Sequence, residues 1–114
     1  MNANAFETFR GNLEAYIIAY RKAQYPTCES LHNVEVTLQP GKKYARIVRK
    51  DYTLDSTGAR KYNHGSAYGF VELATGNIYM AAGWKAPAKH VRGNIACANV
   101  FGTACQPNGV ASLR

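Results

Sequence analysis

No aspartate or glutamate occurs after Glu72, so the last 42 residues of this 114-residue chain carry no acid at all. That absence removes any carboxylate pair for metal or glycosidic chemistry from this stretch. It also leaves the local cations without a neutralising neighbour in sequence. Acids are scarce throughout, seven against fourteen Lys and Arg, and the imbalance is uneven. Residues 1–41 hold three Lys/Arg against four acids, whereas residues 42–114 hold eleven against three. Such asymmetry predicts an anionic partner for the second part of the chain.

Long apolar runs are also missing; none approaches the roughly 18 residues a spanning helix needs. The start, Met1-Asn2-Ala3-Asn4-Ala5-Phe6-Glu7, lacks a basic n-region and an apolar h-region. No secretory signal and no membrane partner are therefore expected, and the cytoplasm is the expected location. Cysteines number only three, Cys28, Cys97 and Cys105. An odd set in a cytoplasmic chain fits reduced, buried thiols, with Cys97 and Cys105 the pair that oxidation would join. A zinc site from Cys28, His32, Cys97 and Cys105 would need seven residues between its last two ligands, where structural knuckles have two to four. No metal and no cofactor are expected. His32, His64 and His90 are the only histidines. None sits in a zincin or nucleophile-elbow motif, and no glycine-rich phosphate loop is present. A non-enzymatic role is expected; any catalysis would have to run through His64 or His90.

What is present reads as one α+β domain over 1–114. Phe6, Phe9, Leu13, Tyr16, Ile17 and Tyr20 recur at three- and four-residue steps, which predicts an amphipathic helix over 4–24. Asn4 and Glu7 suit a capping box, Gly11 suggests close packing, and Pro26 ends the helix. Val34, Val36 and Leu38 alternate with polar residues, as a half-buried strand does. Gln39-Pro40-Gly41-Lys42 reads as a type II turn leading into a second strand, closing a hairpin over 34–52. On that second strand Ala45 and Ile47 face the core, while Tyr44, Arg46, Val48, Lys50 and Tyr52 share the other side. Residues 55–65 read as loop, and a second hairpin spans 66–82, turning at Ala74-Thr75-Gly76-Asn77. A basic loop (83–95) and an irregular tail (96–114) follow, the tail anchored by Val100, Phe101, Val110 and Leu113. The simplest architecture is an N-terminal helix packed on a four-stranded antiparallel sheet of two hairpins.

The segment Gly83-Trp84-Lys85-Ala86-Pro87-Ala88-Lys89-His90-Val91-Arg92-Gly93-Asn94-Ile95 combines the only Trp, three permanent cations and a His. Pro87 and Gly93 suit the start and stop of a short helix, whose N-terminus with Lys85 would attract an anion. Arg92 can fork onto a phosphate. Trp84 reads first as a core anchor and second as a stacking platform. Tyr68-Gly69-Phe70-Val71-Glu72 overlaps the middle of the RNP1 strand of RNA-recognition motifs. The chain lacks that motif's βαββαβ order, so what remains is Tyr68 and Phe70 on one strand face.

Three blocks, Ser66-Ala67-Tyr68-Gly69-Phe70, Thr75-Gly76-Asn77-Ile78-Tyr79 and Trp84 through Ile95, resemble a family of small uncharacterised proteins of tailed bacteriophages. The resemblance covers about residues 44–96. It implies the cytoplasm of an infected bacterium, or the virion, and no activity. The leading expectation is a basic, non-enzymatic nucleic-acid-binding protein. Lys85, Lys89, His90, Arg92, Arg46 and Lys50 would contact phosphates, with Trp84, Tyr44 and Tyr52 stacking on bases. Sequestration of a small phosphorylated ligand such as a nucleotide, and contact with a virion or host protein, are the alternatives. The sequence is compatible with an oligomer.

Overall fold

In the computed structural model, residues 3–63, 65–97, 100–102, 104–106 and 109–110 are described. His64 and Leu113, singled out above, lie outside them. Helix α1 runs Ala3–Gln24. Asn4 thus lies within the helix and does not cap it, and Glu7 pairs with Arg10 at 2.7 Å. The helix ends where Pro26 requires, with Tyr25 N–H donating to Arg21 O. Phe9, Leu13 and Ile17 are its buried stripe, with Phe6 and Tyr16 partly covered. Gly11 does not mark close packing: a Cβ there would meet nothing within 4 Å. Gly11→Ala is expected to stabilise the protein by about 0.5–1 kcal/mol, because glycine costs that much in a helix. Thermal unfolding checks it, as a rise of a few degrees.

Strands β1 (Val34–Pro40), β2 (Tyr44–Leu54), β3 (Arg60–Tyr62), β4 (Ser66–Glu72), β5 (Asn77–Ala81) and β6 (Pro87–Asn94) form one six-stranded sheet. Its order is β1-β2-β4-β5-β6, with β3 paired to β2, and the described pairings are antiparallel. The expected two hairpins are there, extended by two strands. β3 comes from the expected loop. Asp55 turns the chain by accepting Thr57 N–H, Thr57 hydroxyl and Ala59 N–H, which lets residues 60–62 pair with 52–54. β6 replaces the expected short helix. Six residues are too few to sustain helical bonds alone, whereas the open edge of β5 offers a backbone partner. Gly93 is no helix stop but a close approach, since a Cβ there would lie 2.5 Å from Ala104 Cβ.

Two further differences bear on the site. The first hairpin does not reverse at a Pro40-Gly41 type II turn. Pro40 stays in β1 opposite Ala45, and Gly41 is not among the positive-φ glycines. Gly41 N–H donates to Tyr44 O at 2.8 Å, so Lys42 and Lys43 form the tip. A proline is tolerated there because β1 is an edge strand. The outer edge of β1 is in turn covered by α1: Arg10 donates to Val36 O and Glu14 accepts Val36 N–H. Such side-chain capping blocks strand addition at that edge.

The core lies between α1 and one sheet face, with Val36, Ile47, Val71 and Ile78 opposite the helix stripe. The tail closes the same side. Phe101 stacks on Phe9 at 5.9 Å, and strands β7 (Cys105–Gln106) and β8 (Gly109–Val110) place Cys105 and Val110 in the core. Burial pushes the Cys105 thiol up to about 12. None of the three cysteines forms a disulfide, and Cys28 and Cys97 are exposed, not buried as expected. No group of three or more metal-ligating side chains is gathered among the described residues. No described helix is long and apolar enough to cross a membrane.

Candidate nucleic-acid interface

With helix and tail on one face, the other face of the sheet is where Tyr44, Arg46, Val48, Lys50 and Tyr52 project. β2 pairs with β1 without a register shift, so their alternation is preserved. On β4 it is not. A shift between Ile47 and Val48 in the β2–β4 ladder accommodates an extra residue on β4. Tyr68 therefore joins the helix-side core and donates its hydroxyl to Gln106 O. Phe70, opposite Arg46 and Tyr79, belongs to the open face. The expected shared face of Tyr68 and Phe70 does not exist.

The stripe on β2 is also interrupted. Val48 is fully buried although it is not part of the helix-side cluster. The chain at Gly65 passes over it so closely that a Cβ would lie 2.7 Å from Val48 Cγ1 and 3.1 Å from Lys50 Cγ. Two separate clusters result, one at each end of β2.

The first cluster sits at the β1–β2 tip and the β5–β6 loop. A pocket of about 300 Å³ has Lys42, Lys43, Arg46 and Lys85 in its wall around Tyr44 and Phe70, and no acid lines it. Phe70 is only 3% exposed, so it forms a closed apolar floor. Arg46 is the organiser. Its Nε donates to Trp84 O at 2.6 Å, its Nη1 donates to Gln39 Oε1 at 2.7 Å, and its guanidinium carbon lies 4.4 Å from the Trp84 ring centre. These bonds fold the loop back over the sheet and bring Lys85 to the pocket. Trp84 is 44% exposed and so is no core anchor. Tyr44 meets Tyr79 edge-on at 5.5 Å. Lys43 is shared between the Glu72 carboxylate at 3.8 Å and the Tyr44 ring at 5.4 Å. Lys42 and Lys85 have no hydrogen-bond or ion-pair partner among the described residues.

The second cluster holds Lys50 and Tyr52 with residues that β3 supplies. Arg60 lies 4.3 Å over the Tyr52 ring, Lys50 lies 5.6 Å over the Tyr62 ring, and the two tyrosines meet edge-on. Here an acid intervenes. Glu35 accepts from the Tyr62 hydroxyl and pairs with Arg60 at 3.0 Å. Those two bonds hold its carboxyl below the usual carboxylate range. This end is accordingly closer to neutral than the pocket.

Four of the nine residues singled out from sequence thus converge, namely Tyr44, Arg46, Trp84 and Lys85. Lys50 and Tyr52 form the second cluster. Lys89 and His90 are exposed on β6 but line neither group. Arg92 has two guanidinium nitrogens, Nε and Nη1, buried without a hydrogen-bond partner among the described residues. Lys42 and Lys43 were missed, because a turn placed at Pro40-Gly41 puts Lys43 inside a strand. Their adjacency at the head of a Tyr/Arg strand was the available signal.

No curated protein and no solved structure matches the chain. Residues 5–106, which include both clusters, match DUF7717, a family of unknown function, and the chain belongs to that family.

Proposed function

We propose that the protein binds single-stranded nucleic acid, without catalysing a reaction, on the sheet face that α1 leaves open. The observation that carries this reading is the acid-free pocket wall in which Lys42 and Lys85 have no hydrogen-bond or ion-pair partner among the described residues, next to the half-buried Tyr44 and the exposed Trp84. Ammonium groups with no local counter-ion suit phosphates, and Trp84, Tyr44 and Tyr52 suit unstacked bases. A duplex hides its base faces, so rings standing on a sheet favour a single strand. Arg46 acts in this reading by holding Trp84 and Lys85 in place, since its Nε and Nη1 are already engaged.

Salt titration tests it. Neutralising about four phosphates gives a log–log slope near −3 for a single strand. Raising salt from about 50 to about 200 mM should then weaken binding of a labelled oligonucleotide roughly 50-fold by fluorescence anisotropy. Affinity that stays constant across that range, or no binding at the lower salt, sinks the reading.

A further inference from the structure

We infer that the pocket between the β1–β2 tip and the β5–β6 loop takes a phosphomonoester, the terminal phosphate of a bound strand. The inference rests on the strand-binding reading and adds polarity to it. Its basis is the match of charge and size. Of the four cations in the wall, Lys43 is shared with Glu72, whereas Arg46 is bonded to the neutral oxygens of Trp84 and Gln39, which fix its position and leave its charge uncompensated. Lys42 and Lys85, on the two loops that border the pocket, add two further positive charges. A phosphomonoester carries about −1.5 to −2 near neutral pH, whereas each internal phosphodiester carries one negative charge. The uncompensated charge exceeds what one diester would use and so favours the more highly charged monoester.

Size points the same way. A volume of about 300 Å³ is at the lower end of small-ligand pockets, which run from about 300 to 1,000 Å³. It is large enough for one terminal nucleotide. The lining also combines cations with apolar groups. The lysines share it with Phe70, Tyr44, Pro40 and Pro87, so a phosphate can meet the ammonium groups while its sugar or base rests on the apolar residues.

The test compares one oligonucleotide sequence in three forms, with a 5′-phosphate, a 3′-phosphate or hydroxyls at both ends, the label always placed away from the phosphate. The expected result is at least fivefold tighter binding of one phosphorylated form over the hydroxyl form. Lys42→Ala and Lys85→Ala should each bring that ratio close to one, with thermal unfolding confirming that the variants are folded. Equal binding of all three forms overturns the inference while leaving strand binding intact. A mononucleotide arm separates the two readings: if free mononucleotide binds and no oligonucleotide form does, the pocket chemistry holds and the strand as its carrier is overturned. A ratio that survives both alanine variants places the phosphate elsewhere and overturns the inference.

Discussion

Gly69→Ala is expected to destabilise the protein by about 3 kcal/mol, at the upper end of what overpacking a core costs. The position lies in β4 just after the extra residue that turns Tyr68 to the helix side. A Cβ there would stand 2.5 Å from Val110 Cγ2 and 2.8 Å from Tyr79 O. The first contact could relax, because Val110 belongs to the short β8 strand of the tail. The second cannot relax cheaply, since Tyr79 O is backbone of the neighbouring strand β5. One methyl group must therefore displace either the β7–β8 tail or the β4–β5 ladder. A shift of roughly 10 °C or more in thermal midpoint is the expected readout for a domain of this size. Val110→Ala in the same chain should recover only part of the loss, because the Tyr79 carbonyl stays where it is. A Gly69→Ala protein with an unchanged midpoint would show that β4 and β5 are not spaced as described.

Sequence patterns revealed the parts of this fold whose residues face two different environments. α1 has a stripe at three- and four-residue steps because one side meets the core, and β1 alternates because one face is buried. β3 and β6 lack such contrast. Arg60, Lys61 and Tyr62 are all exposed, so nothing in their order distinguishes a strand from a loop. β6 opens with Pro87 and contains Gly93; it is held by pairing with β5, a long-range fact that local propensity does not encode. Tyr68 and Phe70 illustrate a third limit. Period-two reasoning puts residues i and i+2 on one face, and a single extra residue in the ladder cancels it.

The candidate site was legible by composition and not by geometry. An acid-free, cation-rich loop with a Trp marked Lys85 and Trp84, and Tyr/Arg alternation marked Tyr44 and Arg46. That these two segments meet depends on Arg46 bonding to Trp84 O, 38 residues away, which no local pattern reports. Composition likewise cannot tell a cation that is engaged from one that is open. Arg46 and Lys85 look equivalent in sequence. In the fold one is a clamp whose Nε and Nη1 are held by Trp84 O and Gln39, and the other is an ammonium group without a partner among the described residues.

That distinction sets the second large effect. The double charge reversal Lys42→Glu, Lys85→Glu is expected to weaken oligonucleotide binding by about a hundredfold, because it removes two phosphate contacts and replaces them with like-charge repulsion. The salt slope should become shallower by about 1.4, or 0.7 for each lost contact on a single strand. Folding should be unaffected, since neither lysine has a partner among the described residues to lose. Arg46→Ala should behave differently. It leaves both open ammonium groups present but frees the Trp84 loop, so binding should weaken together with thermal stability. Lys22→Glu, at the exposed end of α1, supplies the control for net charge; it should change affinity by less than about threefold, because charges beyond a Debye length of roughly 10 Å are screened. Equal losses from Lys22→Glu and from the double reversal would mean that the whole basic surface attracts the strand and that the pocket has no special place in it.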